Sequence, residues 1–326
     1  MNKQKNRTEE IVMKVRDLIN DSTISKTKIF SRKKIGDWSQ FFTALDTIED
    51  TCLAITAFCK DSEILLEKNP YLVVYGILQT LFVQQDAVDF LKISLFGKDK
   101  GINWKDKKHL PLWEIRQIRN ETIGHPVKTK KKGSDSKYEN DEVTSCTIDR
   151  SSISREGFSY ILWMSSKTHH RSVNFNEVIK LQDFYLSEEL KIIMKEIEKE
   201  ESVHKVKFKG EKLLDILNKP SLYKINLIYG LRWEDHLAWP SFDHYYERYK
   251  RIRNGIENRY GKFGETLRIP GTEEIVKKLD YIFSKIDGFK KIQFDNYEFE
   301  VYVDALDSGL KELGNHLETI DQEFEV

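Results

Sequence analysis

The sequence predicts a mainly α-helical protein of two lobes, with a small β insertion in the first. Three observations predict it. Apolar residues recur at three-to-four spacing over most of the chain. β-branched and aromatic runs are confined to one window, about residues 142–175. Prolines and glycines fall at the edges of the periodic stretches. At 326 residues, 39% hydrophobic and 12% aromatic, the chain can build a core in each of two domains.

Taken in order, residues 1–37 are polar and basic, with one helical run at Ile11–Ile19. Asp37 reads as the N-cap of a helix starting at Trp38, whose stripe is Phe41, Phe42, Leu45, Ile48, Cys52, Ile55 and Cys59. Asn69-Pro70 opens a second, longer helix by the cap-then-proline rule. Its apolar face runs through Leu72, Val73, Leu78, Leu81, Phe82, Val88 and Leu91, and it ends near Gly97. Gly97 to His109, with its clustered lysines, reads as a loop, and Pro111 to Ile123 as a third helix. Lys128 to Asp141 is charged and poor in apolar residues, so a solvated loop is expected. Val143–Ile148, Phe158–Met164 and Ser172–Phe175 have strand composition and suggest a hairpin or small sheet.

Helical spacing returns from Asn176 to Glu201. The charged run Lys195–Lys209 reads as a hinge between a first lobe, 38–202, and a second, 206–326. In the second lobe helices are expected near 210–217, 241–260, 272–286 and 301–324, while Phe294–Tyr302 alternates weakly like a strand.

Lys+Arg and Asp+Glu both number 53, so the formal net charge is zero. The distribution is uneven. Gly97 to Lys132 holds eleven basic against four acidic residues, and Asp280 to the end holds four against twelve. An anionic partner is therefore expected at the middle of the chain. Cys52, Cys59 and Cys146 form no CxxC pair, which argues against a disulfide framework or a zinc site and fits a reducing, cytoplasmic setting. No apolar stretch reaches the roughly 18 to 20 residues of a spanning helix, so no membrane association is expected. No metal and no cofactor is called for by any motif.

The most informative stretch is IRQIRNETIGHPV. Arg119 and Asn120 close a helix whose opposite face is apolar. Gly124 suits the left-handed residue that ends a helix. Pro126 disfavours helical backbone at His125, so the chain leaves the helix there. On an unbroken helix Arg119 and His125 would stand about 120° apart; the Gly-His-Pro exit lets the imidazole swing back towards the guanidinium.

Arg119 and Asn120 with His125 after five intervening residues resemble the motif of the HEPN superfamily, Arg-x(4–6)-His with a polar residue after the arginine. The resemblance covers about residues 38–202. It implies an up-and-down helical bundle, interrupted here by the β segment. Many members are metal-independent endoribonucleases, often toxins or antiviral effectors, with composite sites formed by dimerisation. On that reading the partners are RNA and a second copy of the chain. Arg119 would hold phosphate oxygens, His125 would transfer a proton, and Asn120 would orient the ribose or the imidazole. Lys128, Lys130, Lys131 and Lys132 would steer the RNA backbone. Some members carry a modifiable tyrosine two residues after the histidine; Val127 stands there, so that form of control is not implied.

Two other readings stay open. One is a non-catalytic module of the same architecture that binds RNA, nucleotide or protein. The other is a helical interaction or sensor protein, in which Arg119 pairs with Glu121 or Glu114 and residues 206–326 bind a regulator or trigger. Weaker signals are Arg253-Asn254, which echoes the motif without a histidine, and Asp235-His236 and Asp243-His244, which complete no metal pattern. His169-His170 reads as surface. Gln84-Gln85-Asp86 interrupts an apolar helix, either as a solvated face or as the floor of the Arg119 site.

Overall fold

The computed structural model describes residues 6–21, 38–124, 143–164, 167–219, 222, 225, 227–228, 238–264, 271–291 and 296–325. Asp37, His125, Lys128, Lys130, Lys131, Lys132 and the expected 128–141 loop lie outside the described residues, as does Asp235-His236. The protein is mainly helical, with one three-stranded antiparallel sheet. By internal packing it forms two units, one of residues 6–20 and 38–197 and the other of residues 198–325. No described helix is long and apolar enough to cross a membrane.

In the first unit α1 (Arg7–Asp21) buries Val12, Val15 and Ile19. Its Arg16 bridges Asp46 and Glu49 of α2 (Trp38–Lys68), both at 2.6 Å. Asn69 alone joins α2 to α3 (Pro70–Phe96), and its side chain accepts from the Leu72 amide while Pro70 occupies the first turn. Leu72 is not a core residue: it is 68% exposed, and the buried face of α3 runs through Val74, Ile77, Leu78, Leu81, Val88 and Leu91. The three-to-four spacing fits both faces at that end of the helix, and only α2 decides which one is covered.

The helix α4 (Leu110–Arg119) follows the lysine loop, and its last turn widens into a π-helical turn, Asn120–Gly124. Strands β1 (Val143–Asp149), β2 (Gly157–Met164) and β3 (Thr168–Asn174) form a meander in the order β1-β2-β3. In the register Cys146 faces Leu162, Ile148 faces Tyr160, and Val173 faces Phe158. Strand alternation then puts Phe158, Tyr160 and Leu162 into one core with Ile55, Phe58, Leu78, Leu81 and Ile115 of the helices.

Helix α5 (Phe175–Phe208) contributes to both units, with the division at Ile197 and Glu198. The run Lys195–Lys209, expected to be a hinge, is helical to Phe208. Its opposite charges sit one turn apart, as in Lys205–Glu201 at 3.1 Å, and no helix breaker occurs before Gly210, which takes φ +85°.

The second unit adds α6 (Leu213–Leu217), α7 (Ala238–Tyr260), α8 (Thr272–Gly288) and α9 (Asn296–Phe324). Tyr246 and Tyr249 stack on Phe283 at 4.9 and 4.8 Å, above Leu279, Leu306 and Leu310. The strand expected at 294–302 is corrected from Asn296 onward, where α9 begins. Phe299, Val303, Leu306 and Leu310 recur at helical spacing into the core, and that longer pattern overrides a short alternation. Arg253 is tied to Asp280 and Glu257, both at 3.2 Å, and so is part of the helix packing and not a second copy of the motif.

Candidate functional site

The site is built by two antiparallel helices. The carbonyl of Leu112 on α4 accepts from Gln85 Nε2, Arg116 reaches Asp86, and Arg119 reaches Gln79. The start of α4 therefore meets Gln85 and its end meets Gln79, nearer the start of α3, as antiparallel helices require. Arg116 and Arg119, three apart, fall on one face of α4, and both guanidinium carbons lie over the Phe82 ring, at 4.0 and 4.4 Å from its centroid.

Arg119 is half-buried. Its Nε and Nη2 donate to Gln79 Oε1 at 3.2 and 3.0 Å, and its Nη1 donates to Asn120 Oδ1 at 3.1 Å. Among the described residues no carboxylate lies within ion-pair distance of it. Glu121, the expected alternative partner, instead accepts from Tyr160 Oη at 2.8 Å and from Arg171 at 3.3 Å, which ties the π turn to the sheet. Burial first, and then the adjoining Glu121 charge, pushes the Tyr160 hydroxyl well above its ordinary range, so it stays a donor. Among the described residues three of the five guanidinium N–H groups find a partner, leaving one on each terminal nitrogen. A preoriented cation held by amide oxygens and a ring face keeps its charge available to an anion.

Gly124 does not take the left-handed conformation expected of it. It leaves room for the guanidinium: a Cβ there would stand 2.8 Å from Arg119 Nη1 and would displace that end of the side chain. The turn is π-helical because one extra residue is accommodated before the chain leaves the helix, with Thr122 Oγ1 donating to the Ile118 carbonyl at 2.7 Å. Such turns are frequent at functional sites.

Neither family models, nor curated proteins, nor solved structures give a match to this chain.

Gln84 and Gln85 are neither a solvated face nor the floor of the site. They are buried in a relay in which Gln85 Nε2 donates to Gln182 Oε1 at 2.8 Å, Gln182 Nε2 to Gln84 Oε1 at 2.7 Å, and Gln84 Nε2 to Cys52 Sγ at 3.3 Å. Asp86 is the outlier of that triplet, because it reaches out to Arg116 at 2.7 Å. Arg116 thus has a carboxylate partner, which Arg119 lacks among the described residues, and it also lies 4.5 Å from the Trp104 ring.

A second charged cluster fixes the loop before α4. Glu189 of α5 is fully buried and accepts from Lys92 at 2.6 Å, from Lys108 at 2.5 Å and from His109 Nε2 at 3.0 Å, while His109 Nδ1 faces the Asn103 carbonyl at 3.0 Å. Burial would raise the Glu189 carboxyl, but the bonds from His109, Lys108 and Lys92 outweigh it and hold the group down at about 2. Sequence reading missed Gln79, Phe82 and Glu189. Gln79, Phe82 and Asp86 do recur at three-to-four spacing on α3, which was the available signal.

Among the described residues no group of three or more His, Cys, Asp or Glu side chains is placed to hold a metal. Asp243 pairs with Lys290 at 2.5 Å.

Proposed function

We propose that the first unit is a HEPN-like, metal-independent endoribonuclease that works as a homodimer, with its site at Arg119, Asn120 and His125. The observation that carries this reading is the Arg119 guanidinium, preoriented by Gln79, Asn120 and Phe82 with no carboxylate partner among the described residues. RNA supplies its own nucleophile. The 2′-hydroxyl gives up its proton to the imidazole as its oxygen attacks the adjacent phosphorus; the cyclic phosphate forms, and the 5′-oxygen leaves with a proton from the imidazolium. His125 handles the proton, and Arg119 stabilises the charge that builds on the phosphate oxygens. The Asn120 amide nitrogen, whose oxygen is committed to Arg119, is left to orient ribose or imidazole. Lys128, Lys130, Lys131 and Lys132 attract the backbone, and the second unit binds a regulator or trigger. An antiviral or toxin role rests on the family resemblance alone.

The test is cleavage of single-stranded RNA in EDTA. Wild type is expected to cleave, and Arg119→Ala and His125→Ala to lose about 100- to 1,000-fold at unchanged folding. Cleavage that is unchanged in both variants, or absent from wild type, removes the nuclease reading. Gly124→Ala adds a sharper check. The added methyl pushes the guanidinium from its seat, so cleavage should fall by up to about 100-fold with the thermal midpoint nearly unchanged. A wild-type rate in Gly124→Ala would show that the observed seat of Arg119 is not the working one.

A further inference from the structure

We infer that the loop between α3 and α4, residues 97–109, is a rigid track for single-stranded RNA leading away from Arg119. The inference rests on the nuclease reading for its choice of ligand, and on the following geometry for its place. The loop carries Lys98, Lys100, Lys105, Lys107 and Lys108 against Asp99 and Asp106. Asp106 is exposed and caps the short 3-10 turn Lys107–His109, accepting from the Lys108 amide at 3.1 Å, while Lys108 is committed to the buried Glu189. Lys98, Lys100 and Lys107 are exposed and have no ion-pair partner among the described residues.

The loop is pinned at several points along its length. Ile102 is buried and its amide donates to Asp89 Oδ1 at 2.5 Å. Gly101 packs so closely that a Cβ would stand 2.7 Å from the same oxygen. His109 bridges Asn103 and the buried Glu189. A fixed backbone frame sets the positions of these lysines before the ligand arrives, so less backbone entropy is lost on binding than from a floppy basic tail.

Trp104 links this frame to the site. It is half-buried, and its ring lies 4.5 Å from the Arg116 guanidinium; Arg116 lies over Phe82, and Phe82 carries Arg119. Interleaved aromatic and basic groups are what a single strand needs: a ring for a base to stack on and cations for the phosphates on either side. A strand with one phosphate at Arg119 would reach Trp104 along this row of rings and guanidiniums, and Trp104 shares its loop with Lys98, Lys100 and Lys107.

The experiment measures binding and cleavage separately. Binding is followed by fluorescence anisotropy with a labelled 2′-O-methyl oligonucleotide, which lacks the nucleophile and cannot be cut. Changing Lys98, Lys100 and Lys107 together to Gln should weaken binding and lower the slope of log K against log salt by about 2, three phosphates at about 0.7 each. Trp104→Ala should weaken it by roughly tenfold or more, and Trp104→Phe should restore most of the loss. Affinity and slope unchanged in the lysine variant overturn the track, even where wild type cleaves RNA. A loop-dependent slope in a protein that cuts no RNA keeps the track and removes only the nuclease. No oligonucleotide binding by wild type overturns the track outright.

Discussion

Asp321→Ala is expected to destabilise the second unit by about 3 to 5 kcal/mol, the usual cost of stranding one member of a buried ion pair. Arg259 has no exposed surface and donates to Asp321 at 2.8 Å and to the Glu211 carbonyl. The same carboxylate accepts from the Leu213 and Leu214 amides, both at 2.9 Å, and so caps α6 from the far end of α9. Lys212 precedes that helix and gives no side-chain cap of its own. The Arg259 carbonyl faces His204 Nε2 at 2.7 Å, and the guanidinium lies between 5 and 6 Å from the Phe208 and Phe324 rings. Removing Asp321 therefore leaves a buried cation and two uncapped amides together. Arg259→Met combined with Asp321→Leu should recover part of the loss, since no charge is then left buried, but not all of it, because the α6 amides still lack an acceptor. Urea unfolding followed by circular dichroism reads both. A loss under about 1 kcal/mol in Asp321→Ala would mean that water reaches this pair.

The second large effect is expected at Glu189. Its carboxyl is held at about 2, below the ordinary value of 4.5. A depressed carboxyl contributes stability that is fully present above its unfolded pKa and disappears as pH falls through the folded one. The window is therefore about pH 4.5 down to 2, and the linked contribution is about 3 kcal/mol. Glu189→Gln should remove that contribution at neutral pH and flatten the acid limb of the stability curve of the first unit. The same variant loosens His109 and Lys108, and with them the lysine loop, so amides of residues 101–109 should exchange faster with solvent. An acid limb identical to wild type would place the acid sensitivity elsewhere.

Much of this was legible in the residues. The Asn69-Pro70 start was set by local chemistry, because a side-chain acceptor and a missing N–H act within one turn. The strands were legible because composition and alternation agree between Val143 and Asn174. Arg119 and Asn120 were legible as a polar pair closing an apolar helix, whereas the reason for Gly124 was not. A glycine after a helix commonly signals a left-handed cap, and only the position of the Arg119 side chain shows that it makes room. Gln84 and Gln85 look like a break in an apolar face and prove to be bonded inside it through Gln182, nearly a hundred positions away, although Gln85 Oε1 has no partner among the described residues.

The sequence by itself determined the helical class, the presence of a small β insertion and the candidate pair Arg119 and Asn120, because periodicity, turn chemistry and capping are all settled within a few residues; that the insertion is a three-stranded sheet came from the structure. Tertiary structure alone decided which charges are answered. Asp86 takes Arg116, Tyr160 and Arg171 take Glu121, and Glu189 takes Lys92, Lys108 and His109. Among the described residues Arg119 is left with amide oxygens and a ring. Charge pairing acts over a few ångströms between groups far apart in the chain, so no local pattern records it.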